Sequence, residues 1–166
     1  MPSPWNEHPK LRGRFHPEFP EDLQVIVHDA SPAKSGGCAE LVWVRVTGCD
    51  DEIFSGMVLN KPSHLRDVTE FSSISFIVPE GGQYPLQVTP KYLLERPMWR
   101  ILMPCKGCGL TELLYPPTEL VAYSFPLVTT AELSKGFTFT TRCGWCGGGM
   151  VVRLKRTAWQ SEGVRP

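Results

Sequence analysis

The stretch RCGWCGGGM, residues 142–150, places two cysteines three positions apart and then continues directly into three glycines. A second stretch, PCKGCGL at residues 104–110, repeats the central Cys-x-x-Cys-Gly pattern. The pairs are Cys105/Cys108 and Cys143/Cys146, with 34 residues between Cys108 and Cys143. Paired cysteines of this kind serve as metal ligands, as redox-active dithiols or as partners in disulfide bonds. The rest of the sequence has to distinguish these three uses.

The glycine that follows each pair favours a metal site. Zinc in structural sites is held tetrahedrally, often by four thiolates, and two Cys-x-x-Cys pairs supply four. The residue after the second cysteine often needs a positive φ, which glycine adopts without strain, and Gly109 and Gly147 occupy that position. A backbone N–H can then donate to a thiolate sulfur and offset its charge. The sequence therefore predicts one structural metal ion held by Cys105, Cys108, Cys143 and Cys146. Zn²⁺ is the expected ion, and iron is the alternative, since four cysteines suit either.

Strand-like segments enter and leave the second pair. GFTFTTR (136–142) alternates apolar and polar residues before the pair, and MVVRLKR (150–156) follows it. A metal-binding turn at the tip of such a β-hairpin is the arrangement of a zinc ribbon. Because the 34-residue spacer is longer than is usual for these sites, we expect LLYPPTELVAYSF (113–125) to loop out as an insertion. Within the 34-residue spacer, ELVAYSFPLV (119–128) is predicted to form a strand, and AELSK (131–135) is predicted to form a short helix or turn.

The two other uses of the cysteines fit the sequence less well. A redox-active pair of the thioredoxin type begins a helix, whose N-terminus lowers the thiol pKa, whereas glycines follow both pairs here. Disulfides require an oxidising compartment, and the N-terminal residues contain no apolar run typical of a signal peptide. We therefore expect a cytoplasmic protein with reduced cysteines, in which Cys38 and Cys49 are free thiols. No stretch approaches the roughly 18 apolar residues of a membrane span.

Short strands joined by turns are predicted for the first half of the chain. The 166 residues include 16 prolines and 15 glycines, which argues against long helices. Four candidate strands are rich in β-branched and aromatic residues: DLQVIVHD (22–29), ELVWVRVT (40–47), IFSGMVLN (53–60) and SSISFIV (72–78). A short helical turn is expected from Lys91.

These patterns together predict a mainly β protein. Residues 1–20 are expected to form a flexible Pro-rich arm, because prolines recur there without strand-like alternation. Residues 21–97 are expected to form a small barrel-like antiparallel sheet. Residues 98–166 are expected to form a zinc-ribbon domain with two Cys-x-x-Cys-Gly turns.

Groups suited to catalysis are scarce. The chain has only four histidines, and two of them lie in the N-terminal arm. His28 and Asp29 are adjacent on a predicted strand, where neighbouring side chains point to opposite faces. No nucleotide-binding, hydrolase or metalloprotease motif is present. Because four cysteines would close a zinc site that a catalyst leaves open, we expect no enzymatic activity.

Charge is distributed unevenly along a chain of zero net charge. Residues 1–97 contain nine basic and thirteen acidic residues, whereas residues 98–166 contain eight basic and four acidic ones. The second cysteine pair is flanked by basic residues and by possible stacking platforms: Arg142, Arg153, Lys155, Arg156, Trp145 and Trp159. A basic ribbon with aromatic residues can bind nucleic acid. We expect the protein to act by binding another protein. Nucleic-acid binding is the alternative function, and thiol–disulfide exchange is the third.

The segment LVWVRVTGCDDEIFSGMVLNKP (41–62) resembles the core of the YegJ-like family of small bacterial β-barrel domains. The family pattern combines an aromatic-Val strand, a Phe-x-Gly and an Asn-x-Pro, and these positions are held here by Trp43, Val44, Phe54, Gly56, Asn60 and Pro62. The resemblance implies a barrel in the first half of the chain. It implies no catalytic residues.

The paired PCKGCG and RCGWCGG motifs resemble the bacterial double-CxxCG proteins, some of which are immunity proteins that neutralise a toxin delivered by neighbouring cells. This resemblance rests on the cysteines and glycines. It implies a zinc-binding module whose partner is another protein, such as a cognate toxin.

The insertion offers candidate contact residues for a partner. It is unusually apolar for a connection, and it contains Tyr115 and Tyr123. Exposed aromatic side chains often dominate the energetics of interfaces. Two outcomes are open: the insertion packs as a strand across the junction of the two halves, or these tyrosines form an exposed contact patch.

Overall fold

Five strands in the first half of the protein close into a barrel in the computed structural model, which describes residues 4–155. They are β1 (Asp22–His28), β2 (Ala39–Asp50), β3 (Ile53–Val58), β4 (Ser73–Ile77) and β5 (Leu86–Val88). Successive strands pair antiparallel, and a parallel contact between Ile26 and Leu86 closes the ring. The predicted barrel-like sheet is therefore confirmed.

Alternation along the strands explains the barrel core. On β2, Val42, Val44 and Val46 are buried, whereas the intervening positions are partly or fully exposed. Inside the barrel Phe54 and Phe76 stack with ring centroids 5.4 Å apart. Because successive side chains of a strand point to opposite faces, one face of β2 fills the core and the other is partly or fully exposed.

The N-terminal arm packs against the barrel, contrary to the expectation of a flexible segment. Leu11 is fully buried within the barrel's hydrophobic cluster. Phe15 forms an isolated antiparallel bridge with Leu23, and the ring of His8 lies edge-on to Phe54 at 4.8 Å. Burial of apolar side chains offsets the entropy lost when the arm is ordered, and prolines alone did not reveal these anchors.

The second half of the protein is built on a three-stranded antiparallel sheet. Its strands are β6 (Trp99–Met103), β7 (Phe137–Arg142) and β8 (Gly149–Leu154), with β8 in the middle. Three helices accompany the sheets: α1 (Pro90–Glu95), α2 (Pro117–Ser124) and α3 (Thr130–Ser134). The strands on both sides of the second cysteine pair, and the helices near Lys91 and at 131–135, agree with the sequence predictions.

The region 119–128 was predicted as a strand, and this is wrong because the chain forms α2 there. Proline occupies the first turn of α2 and Glu119 also lies in it, and both residues favour a helix start. Only one face of α2 is buried, through Pro117, Leu120 and Val121. The residues before α2 are part of the core, since Leu113 and Leu114 are each 3% exposed.

The two halves share one hydrophobic cluster. Ile26, Ile77 and Leu86 of the barrel belong to the same cluster as Leu154 and the cysteine-bearing turns of the second half. The hydroxyl of Tyr92 donates to Glu112 across the junction at 2.5 Å. The limit placed near residue 97 therefore separates two sheets that pack on a common core. Within the described part of the chain, no helix is both long enough and apolar enough to cross a membrane.

Candidate metal centre

The four predicted cysteine ligands lie together between the two turns. Their Sγ atoms are all within 4.8 Å of one another, and they form the one cluster of potential metal ligands found among residues 4–155. Cys105 Sγ lies 3.2 Å from Cys146 Sγ, and Cys108 Sγ lies 3.8 Å from Cys143 Sγ. A tetrahedral zinc ion with Zn–S bonds of about 2.3 Å holds its sulfurs about 3.8 Å apart. The cluster could therefore bind a metal ion.

The two turns repeat the same backbone geometry. The first follows β6, and the second joins β7 to β8. In the first turn the Gly109 N–H donates to the Cys105 carbonyl at 2.9 Å, and in the second the Gly147 N–H donates to the Cys143 carbonyl at 2.9 Å. Four backbone N–H groups donate to sulfur at 3.3–3.4 Å: Gly107 and Cys108 to Cys105, Trp145 to Cys143, and Gly148 to Cys146. These donors are the ones that offset negative charge on metal-bound thiolates.

Glycine is required at each turn for the reason that the sequence predicted. Gly109 has φ +79° and Gly147 has φ +82°, in the left-handed region that other residues rarely adopt. A second requirement was missed: a Cβ on Gly148 would lie 2.6 Å from Cys105 Sγ and 2.7 Å from the Gly107 nitrogen. The two turns therefore approach each other too closely for a side chain at this position.

The electrostatics of the cluster also favour a cation. Burial raises the pKa of the Cys105 thiol, but hydrogen bonds from Cys108, Cys146 and Gly107 outweigh it and lower this pKa to about 6. Burial dominates at Cys108, whose pKa rises to about 12, and it also raises the pKa of Cys143. Four thiolates this close repel one another. A bound cation would stabilise all four and release their protons.

Neither cysteine pair begins a helix, and no disulfide is present. The residues after each pair form turns that lead into a loop or into β8. All six cysteines of the chain are free thiols, and Cys38 and Cys49, which were expected to be free, are exposed. The helix N-terminus that activates a thioredoxin-type dithiol is therefore missing from both turns.

The two tyrosines proposed as partner contacts have opposite environments. Tyr115 is only 3% exposed, with its ring edge-on to His28 at 5.2 Å, so it offers no surface to a partner. The sequence could not show this, because the burial comes from a barrel strand far away in the chain. Tyr123 is 61% exposed on α2, and its role in a contact stays a prediction.

His28 is a structural residue of the barrel. It is 1% exposed, its Nδ1 accepts from the Ala30 N–H at 3.0 Å, and its Nε2 lies 3.0 Å from the Gln87 carbonyl. Burial lowers its pKa to about 4, although Gln87 and Asp29 act in the opposite direction. The neutral imidazole with its proton on Nε2 satisfies both contacts, so no proton is left for transfer.

The basic residues around the second turn are exposed where they can be described. Arg142, Arg153 and Lys155 lie at the surface, and Trp145 is partly buried against Tyr84. Arg156 and Trp159 lie outside the described residues.

Comparisons of the chain with protein-family models, with curated proteins and with solved structures found no match. The function therefore has to be inferred from the site itself.

Proposed function

We propose that the protein is a non-enzymatic interaction module whose second half is held in shape by one structural zinc ion. The observation that carries this proposal is the meeting of four cysteine sulfurs, from two turns far apart in sequence, within 4.8 Å. The ligands are Cys105, Cys108, Cys143 and Cys146. The ion would fasten the first turn to the hairpin β7–β8, and its binding energy would contribute directly to folding.

A structural role fits this site better than a catalytic one. Cys105 and Cys143 are each 4% exposed, and four thiolates complete the tetrahedron that zinc prefers. Catalytic zinc sites have three protein ligands and leave a fourth position for water or substrate. Reduced thiols of this kind persist in a reducing compartment, so the proposal includes a cytoplasmic location.

The partner in this proposal is another protein, as the resemblance to double-CxxCG immunity proteins implies. The barrel half carries exposed carboxylates that form no ion pair with the described residues: Glu18, Glu21, Asp50, Asp51, Glu70 and Glu80. Complementary potentials steer association and select partners. A basic protein surface, such as that of a cognate toxin, is the partner chemistry that this half of the molecule fits.

Elemental analysis of the purified protein tests the metal. We expect one zinc ion per chain, and a colourless protein, because iron held by four thiolates is coloured. Protein purified without stoichiometric metal would overturn the zinc proposal. Stoichiometric iron would retain a structural Cys₄ site but change its metal, since four thiolates suit both ions.

Charge reversal tests the partner surface separately. With a candidate toxin encoded beside this protein as ligand, Glu18→Lys and Glu21→Lys are expected to weaken binding, mainly by slowing association. The matched control is Lys61→Glu, which changes charge at an exposed residue of the same half in the opposite direction. Equal affinities for all variants would exclude the acidic barrel surface as the contact.

A further inference from the structure

The exposed cations of the second half have no acidic partners among residues 4–155. All five ion pairs of this part of the chain take their cation from residues 10–96. The acidic residues described beyond residue 97 are already engaged: Glu112 pairs with Arg96, Glu119 pairs with Lys91, and Glu132 completes the capping box of α3. Six exposed cations remain: Arg100, Lys106, Lys135, Arg142, Arg153 and Lys155.

Three of these cations lie on the solvent-facing side of the β6–β8–β7 sheet. The exposed positions of the three strands are Arg100, Leu102, Thr138, Thr140, Arg142, Gly149 and Arg153, and none is acidic. Arg100 and Arg153 are direct cross-strand neighbours. Like charges in such positions destabilise a sheet, and a bound anion would remove that repulsion.

A groove of about 730 Å³ adjoins this face at Arg142. One side is formed by residues 140–142 of β7 and by the second cysteine turn, through Cys143, Gly144, Gly147 and Gly149. The rest is lined by Leu120, Tyr123 and Ser124 of α2, by Tyr115, and by Pro32 and residues 36–37 of the loop before β2. The side chains of consecutive strand residues point to opposite faces of the sheet. Three consecutive residues can therefore line the same groove only if the groove runs along the edge of their strand. Among residues 4–155, β7 pairs only with β8, so no other described strand covers its second edge.

The free edge presents backbone hydrogen-bonding groups to the groove. The Cys143 N–H donates to the Gly148 carbonyl at 2.7 Å, so this pair is hydrogen-bonded within the hairpin. Hydrogen-bonded and non-hydrogen-bonded pairs alternate along an antiparallel ladder. The backbone N–H and C=O groups of Arg142 and Thr140 therefore point away from β8, towards the groove.

We propose that this groove and the adjoining sheet face bind single-stranded nucleic acid. Arg142, Arg153 and Arg100 contact phosphates, and the 61%-exposed ring of Tyr123 stacks on a base. Single-strand binding surfaces combine a positively charged groove with aromatic rings in this way. A single strand fits better than a duplex, because the bases of a duplex already stack on one another, whereas an unpaired base exposes its face to a protein ring. This activity is separate from the protein contact proposed for the barrel half.

Fluorescence anisotropy with the zinc-loaded full-length protein tests the proposal. The probes are a labelled single strand of about 12 nucleotides, within known site sizes, the corresponding duplex, and polyglutamate as an acidic polypeptide. We expect the single strand to bind most tightly and its affinity to fall as salt increases. Tighter binding of the duplex, or polyglutamate binding equal to that of the strand, would overturn the proposal.

Variants locate the binding surface. Arg142→Gln and Arg153→Gln should each weaken binding and reduce the slope of log affinity against log salt by about 1. Tyr123→Ala should weaken binding about 5- to 150-fold, as loss of one stacked base does, and Tyr123→Phe should retain affinity. The control is Arg12→Gln, which removes an exposed arginine of the barrel half that forms no ion pair with described residues. Losses for Arg12→Gln as large as for Arg142→Gln would show nonspecific attraction and overturn the site.

Discussion

The two halves of this protein reach a stable fold by different means. The barrel closes its own hydrogen-bonded ring and fills it with a cluster that needs no residue from the second half. The second half has an open three-stranded sheet, and its core cluster extends into the barrel. Small open sheets bury too little apolar surface to be secure alone. We therefore expect the stability of the second half to depend on two supports, the proposed metal ion and the barrel.

Loss of the proposed metal ion is expected to destabilise the second half more than any other change. Cys143→Ser removes one thiolate from a proposed site whose ion contributes on the order of 10 kcal/mol in small zinc domains. The variant should lose zinc, and amide protons of β7 and β8 should lose protection from hydrogen exchange while those of β1 and β2 retain it. Hydrogen exchange measured residue by residue, together with zinc content, checks this expectation.

Cys38→Ser and Cys49→Ser are the matched controls, because both thiols are free, exposed and distant from the cluster in sequence. They should bind one zinc ion and keep full protection. If β7 and β8 in Cys143→Ser remain as protected as in the unmodified protein, the second half does not depend on the metal, and the contrast between the halves fails.

His28 gives the barrel a pH dependence of its own. Its folded-state pKa is about 4, below the ordinary 6.5. Between pH 6.5 and pH 4, His28 is protonated in the unfolded chain but not in the folded barrel. The free energy of unfolding therefore decreases as pH falls from 6.5 towards 4. The loss amounts to about 3 kcal/mol. Denaturant unfolding monitored on the barrel should show it.

His28→Gln tests whether this residue is the source. Glutamine can accept from Ala30 and donate to Gln87, but it does not titrate. The variant should lose most of the stability change between pH 6.5 and 4 relative to the unmodified protein, with metal kept in excess in both. An unchanged pH profile would assign the acid sensitivity to other groups.

The packing of the second half against the barrel can be weakened by a substitution at the junction between the two halves. Tyr92 lies on α1 and is fully buried; its hydroxyl donates to Glu112 and accepts from the Leu113 N–H at 3.0 Å. Tyr92→Phe removes both bonds and leaves the Leu113 N–H without this partner, although Glu112 keeps its pair with Arg96. The loss should lower the free energy of unfolding by about 1–3 kcal/mol. Thermal unfolding measures this loss, and no change in Tm would show that the junction does not need the hydroxyl.

The four-cysteine cluster was predictable because its signal is local. Two residues between the cysteines, and a glycine after each pair, are properties of a few neighbouring positions, and the positive φ of Gly109 and Gly147 follows from them. The barrel strands were predictable for a similar reason, since alternating Val42, Val44 and Val46 mark a half-buried strand.

Features that depend on distant contacts could not be predicted. The apolar residues of 119–128 fit a strand or a helix, and only packing on one face selects α2. Leu11 is buried because the barrel offers a place for it, and the bond between Tyr92 and Glu112 joins residues whose approach depends on the whole fold. The close approach of Gly148 to Cys105 likewise requires both turns to be in place.

Removing the Tyr115 hydroxyl is expected to change the free energy of unfolding the least. It can be compared directly with removal of the Tyr92 hydroxyl. The Tyr115 hydroxyl is buried but has no hydrogen-bond partner among the described residues, and burial raises its pKa to about 12. A buried hydroxyl without a partner destabilises the folded state by about 1–3 kcal/mol. Tyr115→Phe should therefore leave the free energy of unfolding unchanged or raise it by up to about 1 kcal/mol, with a rise in Tm of about 2–4 °C. Thermal unfolding beside Tyr92→Phe makes the comparison direct, because the same atom is removed from a bonded and an unbonded site. A loss at Tyr115 as large as that at Tyr92 would mean that its hydroxyl has a hydrogen-bond partner in solution.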